Sequence, residues 1–318
     1  MSTSRGVVLP QSPLLTAADT LTSAELAIDL GYDELWISET SVFDPFAMAG
    51  HLAHPAGPRL ILGPLPAPLR SGPQLAMAAS TLLALGAECE LVLGASSPTV
   101  TQSWHGRTRS SPALVRAVFE ATKAALSGER TAIDSGPATT VGFRLGTGPA
   151  RVKIGVAALG PKMLRLAGEC ADRAVLNMVG PAQAHRLAEV IADGARAANR
   201  AVPPISIWLH VAVEPDEIDV AIGHQFIAGY LRAPGYAASF AQQGFGEIVD
   251  RAAEATNLAE VAELVSDELY ETIIPHGDAD HVRKAVTALE QAGFAVAVVP
   301  VMASHEGRAR TLEALMTR

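Results

Sequence analysis

The chain has 318 residues, of which 49% are hydrophobic and 18% charged, with a formal net charge of -9. That balance suits a large buried core and excludes disordered, fibrous and collagen-like classes. The acidic excess, with no long Lys/Arg cluster, argues against a nucleic-acid surface, because a phosphate backbone demands a basic face. No stretch of 18 apolar residues occurs, and Pro10 and Pro13 are reached without a basic-led apolar segment. Neither a membrane span nor a secretory signal is therefore expected, and the cytoplasm is the expected compartment. Cys89 and Cys170 fall in a predicted strand and a predicted helix, which suits reduced core thiols rather than a disulfide or a metal site.

From the N-terminus, apolar runs recur at 6–10, 34–38, 59–63, 90–94, 151–158, 173–178, 205–213 and 295–301. They are rich in Val, Ile and Leu and nearly continuous, as strands covered on both faces are. Helical segments such as 18–30, 73–85 and 181–198 separate them. Eight strand-helix units predict an α/β fold, a closed (β/α)8 TIM barrel in one domain spanning 1–318. The rival, a doubly wound open sheet, lacks a glycine cluster after its first strand, which reads VVLPQSP. A bare barrel needs about 250 residues, so the surplus belongs in insertions. One is expected at 128–150, rich in Gly, Thr and Ser. The other, at 216–276, is a helical excursion before the last strand, acting either as a lid or as a helical unit packed on the barrel.

The run 151–177 reads as strand, turn, helix and strand. Val152, Ile154 and Val156 alternate. Gly160-Pro161 then opens a helix whose Met163, Leu164, Leu166 and Ala167 share a buried side. A Gly-Pro helix start leaves backbone donors free at the positive end of the dipole, where a phosphate fits; an ordinary helix connection is the alternative.

Together these segments resemble the bacterial luciferase-like superfamily, in particular its deazaflavin-dependent branch, which includes methylenetetrahydromethanopterin reductase. The similarity covers most of the chain. It rests on LWISET at 35–40, LGPLPAPLRSGP and the helix after it, SWHG at 103–106, ALSGE at 125–129, and the Gly-Pro helix followed by AGECAD at 167–172. It implies an oxidoreductase that moves a hydride between coenzyme F420 and a small organic substrate, in a homodimer. An FMN-dependent monooxygenase is the alternative within the fold, and a cofactor-free, non-enzymatic relative is the alternative outside it. Two departures stand out. Many members carry His where this chain has Thr40, so a histidine base is not available there. A frequent Gly-Arg before strand four is Ala87-Glu88 here, at the barrel bottom, where a structural effect is expected.

Active sites of TIM barrels lie at the C-terminal strand ends, which places the candidates. By resemblance Glu39 lies beside the ring, to hydrogen-bond or relay a proton, with Thr40 next to it; a surface carboxylate capping a turn is the other reading of Glu39. Gly63, Pro64, Leu65 and Pro66 are expected to back the ring through a cis peptide at Leu65-Pro66 or, failing that, at Gly63-Pro64, against an all-trans alternative. Gly94 and Ala95 permit close approach to a ribityl or phosphate group, and Ala158, Leu159, Gly160, Pro161 and Met163 receive the tail. Trp104 and His105 are substrate-side candidates, with Trp104 as a packed loop anchor the alternative. Asn177 points into the pocket or forms a turn. Arg70, Arg107, Arg109 and Lys162 are rim cations suited to an anionic tail, or scattered surface charges. Two histidine pairs, His51/His54 and His276/His281, are rejected as metal ligands. Asp278 and Asp280 stand instead where a helix N-cap and first turn belong.

Overall fold

The structure is a computed structural model that describes residues 5–134 and 136–316. Its strands are β1 (Arg5–Val8), β2 (Glu34–Ile37), β3 (Arg59–Pro66), β4 (Cys89–Gly94), β5 (Ala132–Ile133), β6 (Thr140–Val141), β7 (Lys153–Ala157), β8 (Ala174–Asn177), β9 (Ile205–Val213), β10 (His276–Gly277) and β11 (Ala295–Pro300). Eight of them pair in parallel in the order β9, β11, β1, β2, β3, β4, β7, β8, and β8 pairs back onto β9. The sheet is therefore closed, and the predicted (β/α)8 barrel is present with all eight expected strands. The short β5 and β6 form a separate antiparallel hairpin inside the expected 128–150 insertion.

Local chemistry sets the helix starts. Thr16 and Asp19 form a reciprocal capping box for Ala17–Asp29, and Ser71 and Gln74 do the same for Gly72–Ala84. Asp278 caps Ala279–Gln291 by accepting from the His281 amide, as expected. The outward faces of the strands and the inner faces of these helices make the main core, including Leu35, Leu60, Leu62, Leu91, Leu93 and Ile207. Arg5 ties the first strand to the last helices, donating from Nε and Nη2 to the Glu290 carboxylate and from Nη1 to the Leu315 carbonyl.

Inside the barrel the side chains stack in layers. At the N-terminal end Arg173 donates to Glu34 at 2.7 Å, to Glu90 at 2.8 Å and to Ser206 at 2.9 Å, all of them buried. Arg59 extends the network to Glu34 and Glu88. The departure at Glu88 is thus answered by a cation on the neighbouring strand. Burial pushes the Glu90 carboxyl up, and Arg173 opposes that. Above lies an apolar layer of Val8, Trp36, Ile61, Val92, Val175 and Ala297, with Trp36 and Trp208 edge to face at 5.8 Å.

The 216–276 interval is helical, as expected: Glu217–Leu231, Pro234–Phe240, Gly246–Glu254, Leu258–Glu263 and Asp267–Ile273. Its core of Ile227, Leu231, Phe240, Phe245, Leu269 and Tyr270 includes Met178, Ala212, Val301 and Met302 from the strand ends. The excursion therefore packs on the C-terminal mouth of the barrel.

Candidate active site

The top inward layer is uneven. On the β3, β4 and β7 side it consists of small groups: a Cβ added at Gly94 would lie 3.2 Å from Pro64 Cβ and 3.8 Å from Ala157 Cβ. Gly94, Pro64 and Ala157 thus bring only small side chains together at this end of the barrel. β3 reaches this patch through a bulge. Its register with β4 shifts between Leu62 and Leu65, and pairing then resumes through Leu65–Leu93 and Pro66–Gly94.

The cis peptide is at Gly63-Pro64, not at Leu65-Pro66. The register explains why the second of the two expected bonds is the cis one: Leu65 and Pro66 are drawn back into the ladder, whereas Gly63 is the point where the chain departs from it. Gly63 has φ +136°, and any Cβ there would meet the Val92 carbonyl oxygen at 2.3 Å, so only glycine fits. Of the two outcomes prolines allow here, an end or a bulge, the strand takes the bulge and runs on to Pro66.

Beside this patch, β7 passes through Ala158 and Leu159 to Gly160, the N-cap of Pro161–Cys170, with Pro161 in the first turn and no side chain capping the start. Nothing lies within 4 Å of a Cβ built on Gly160. Met163 and Leu164 turn inward and are buried, while Pro161 and Lys162 are exposed. The helix sits where it does because Gly168 and Gly194 let it touch Pro181–Ala197: a Cβ at Gly168 would be 2.0 Å from the Ile191 carbonyl oxygen. A second Gly-Pro start, Gly180-Pro181, is closed. Gln243 from the excursion accepts from the Gly180 amide at 2.8 Å, and a Cβ at Gly180 would meet Thr272 at 2.6 Å.

On the β2 side, Glu39 accepts a bidentate pair from Arg70, at 2.7 Å from Nη2 and 3.2 Å from Nε, so it is not a free surface carboxylate. Arg70 also reaches Asp44 at 2.6 Å and lies 4.7 Å over the Phe46 ring. Burial pushes the Asp44 carboxyl up, but the Arg70 hydrogen bond and the Ala47 and Phe46 amides hold it below the usual carboxylate range. Arg70 is thus engaged by two carboxylates, unlike the free rim cation the sequence suggested. Thr40 donates to Gln11 Oε1 at 2.6 Å, and Gln11 donates to the Ser38 carbonyl, which joins the β1 and β2 loops. Ala95 follows Gly94 and is half-buried; Trp104 and His105 sit at the end of a π-helical turn, Thr99–Trp104, both exposed. Trp104 is 56% exposed, so the packed-anchor alternative does not hold. Arg107 and Arg109 are also exposed.

The far wall contains residues the sequence reading did not single out. His210 Nε2 lies 2.8 Å from Asn177 Oδ1, and Asn177 Nδ2 donates to Tyr236 Oη at 3.3 Å. The Asn177 side chain is therefore engaged with His210 and Tyr236 rather than with a turn of its own backbone. His210 packs on Phe226 at 4.8 Å, and Tyr230 lies between Phe226 at 5.2 Å and Tyr236 at 4.5 Å. Burial alone depresses the His210 imidazole to about 3, so it stays neutral, and burial raises the Tyr236 phenol. The signal for His210 was present: in ISIWLHVAV, period-2 alternation puts Ser206, Trp208 and His210 on one face.

Of the histidine pairs, His51 lies in the helix Pro45–Leu52 and His54 beyond its end. His276 and His281 both contact Glu271, at 2.9 and 2.6 Å. Among the described residues no three His, Cys, Asp or Glu are grouped to hold a metal ion. Cys89 is buried in β4 and Cys170 ends its helix, and burial pushes both thiols up, to about 12 and about 11. No described helix is long and apolar enough to cross a membrane.

The chain is 28% identical to the Mycobacterium tuberculosis protein Rv3520c, named for coenzyme F420-dependent oxidoreduction, over 89% of this chain and 90% of that one. The coenzyme F420-dependent tetrahydromethanopterin reductase of Methanopyrus kandleri shares the fold with a TM-score of 0.77 at 19% identity, covering 100% of this chain and 98% of the other. The oxygenating constituent of 3,6-diketocamphane monooxygenase from Pseudomonas putida, solved with FMN, gives a TM-score of 0.74 at 18% identity, covering 100% and 97%. Residues 2–295 match the luciferase-like monooxygenase family model. A closed barrel with a bulged third strand and an open Gly-Pro helix start at its mouth thus has its place among known proteins: the chain belongs to the luciferase-like monooxygenase family.

Proposed function

We propose that this protein is an oxidoreductase that transfers a hydride between the deazaflavin coenzyme F420 and a small organic substrate. The observation that carries the reading is the pairing of a patch of small side chains at Pro64, Gly94 and Ala157 with the uncapped helix start at Gly160-Pro161. A planar ring with an anionic tail needs both, and here they are neighbours on adjoining strands. The name of the Mycobacterium tuberculosis relative supports the deazaflavin over the flavin.

In this reading the amides ahead of Met163, with Gly160, Pro161 and the exposed Lys162, hold the phosphate, and the Ala158-Leu159 backbone guides the chain to it. Gly63, Pro64, Leu65 and Pro66 back the ring, and Gly94 and Ala95 leave room for its side. Glu39 and Thr40 hydrogen-bond ring or substrate from the β2 side, while Trp104, His105 and Asn177 face the substrate. When bound, the cofactor supplies the hydride chemistry; the protein positions the reactants and excludes water. The same reading includes a homodimer in the cytoplasm, checked by light scattering and cell fractionation.

Anaerobic titration tests it. Coenzyme F420 should bind in the micromolar range or tighter, with absorbance changes that saturate at one per chain, and FMN should bind at least tenfold more weakly. Preference for FMN would replace the reading with the monooxygenase one, and binding of neither would leave a barrel without cofactor chemistry.

A further inference from the structure

The wall formed by the ends of β8 and β9 and the helix Pro234–Phe240 is a one-way hydrogen-bond chain. Asn177 Oδ1 can only accept, so His210 must donate to it from Nε2, which leaves His210 Nδ1 as a bare acceptor; that atom is buried and has no partner. Asn177 Nδ2 then donates to Tyr236 Oη. With its oxygen receiving a proton from Asn177, the Tyr236 phenol has its own proton left to donate. Neutral donors in series polarise one another in the same sense, which strengthens the last one. The flanking groups, Phe226 and Tyr230, carry no charge, and His210 is buried as the neutral base. On the β2 side, Glu39 and Asp44 are both paired with Arg70, and Arg107, Arg109 and Lys162 are exposed. This wall offers a donor with no counter-charge. It suits an uncharged oxygen acceptor and disfavours a carboxylate or an ammonium, each of which would lose hydration without an ionic partner.

We infer that Tyr236, aimed by the Asn177–His210 pair, donates a hydrogen bond to the oxygen of an uncharged ketone or aldehyde, making carbonyl compounds and the matching alcohols the substrate class. The hydride part of this assignment rests on the deazaflavin reading; the hydrogen bond does not. When the carbonyl carbon takes the hydride of the reduced deazaflavin, the C=O π pair moves to oxygen, and water supplies the proton that makes the hydroxyl. Tyr236 keeps its own proton and stabilises the negative charge developing on that oxygen. Asn177 and His210 are positioning residues that act through it.

Cyclohexanone, acetophenone and benzaldehyde are the probes. Infrared difference spectra of each with the cofactor-free protein read the hydrogen bond directly. At least one should bind with its carbonyl stretch lowered in the wild type and restored towards its apolar-solvent position in Tyr236→Phe. Asn177→Leu, which keeps the phenol but removes its aim, should show an intermediate shift. With reduced deazaflavin, Tyr236→Phe should lower kcat about 100-fold with little change in KM, the pattern of a lost transition-state donor. An unchanged carbonyl frequency in Tyr236→Phe, or no binding of any probe, overturns the assignment. A Tyr236-dependent shift in a protein that leaves deazaflavin unbound would overturn the cofactor reading alone and leave the tyrosine in place.

Discussion

Gly160 is the residue on which the proposed tail site turns, and its two properties pull apart under substitution. Its φ of -79° is ordinary for any residue, and nothing stands where a side chain would go. Asp is a better N-cap than Gly by a few tenths of a kcal/mol. Gly160→Asp should therefore leave the unfolding midpoint in urea unchanged or slightly raised. The same carboxylate would face an incoming phosphate at a few ångströms, and at least tenfold weaker coenzyme F420 binding is expected, about 1.4 kcal/mol. A variant that binds the coenzyme as well as the wild type would remove the helix start from the site. Legibility at this scale was mixed. Gly160-Pro161 could be read because all its determinants are local. The string from His210 through Asn177 to Tyr236 could not, since its members come from two strands and an excursion helix and meet only when the barrel closes. Arg70 misled for the same reason: a basic residue on a loop reads as free until Glu39 and Asp44, far away in sequence, are folded against it.

At the scale of elements, the helix that presents Gly160 is held by backbone contact rather than by interlocking side chains. A Cβ at Gly194 would lie 2.3 Å from the Arg165 carbonyl oxygen. Gly194→Ala should destabilise the protein by about 1–3 kcal/mol, as overpacking does, and should also weaken coenzyme binding because the helix is pushed off its position. Denaturant unfolding and the titration read the two effects. Stability equal to the wild type would show that the two helices have slack. The barrel strands were legible because each is an apolar run bounded by turn residues, and their ends were off by one to three residues where pairing partners, not composition, set the limit. β7 begins at Lys153 rather than 151, and β3 continues past its cis proline because Leu93 and Gly94 pair with it. The excursion was recognisable as surplus length, but not as five helices of 6 to 15 residues, since the short ones depend on the shared core they build.

For the whole molecule, barrel closure buries a group of charges that no single strand could hold. Arg173 stands between Glu34 and Glu90, and two carboxylates are left facing each other if it is removed. Arg173→Met should cost about 3–5 kcal/mol, the penalty for stranding a buried charge rather than the worth of the pair. Adding Glu90→Gln should recover part of it. A urea midpoint unchanged in the single variant would mean that water reaches the cluster. Ser206 and Arg59 complete this end of the barrel, so the proposed site and the buried charge cluster occupy opposite ends, with an apolar layer between them. Substitutions at one end should therefore be nearly additive with those at the other.

Two neighbouring helices begin with the same Gly-Pro pair, yet Gln243 leans from the excursion onto one of them and spares the other. An amide oxygen there does the work of a resident anion. Gln243 and Thr272 together cover that start, so which of the two helix starts stays open is set by the insertion and not by the scaffold.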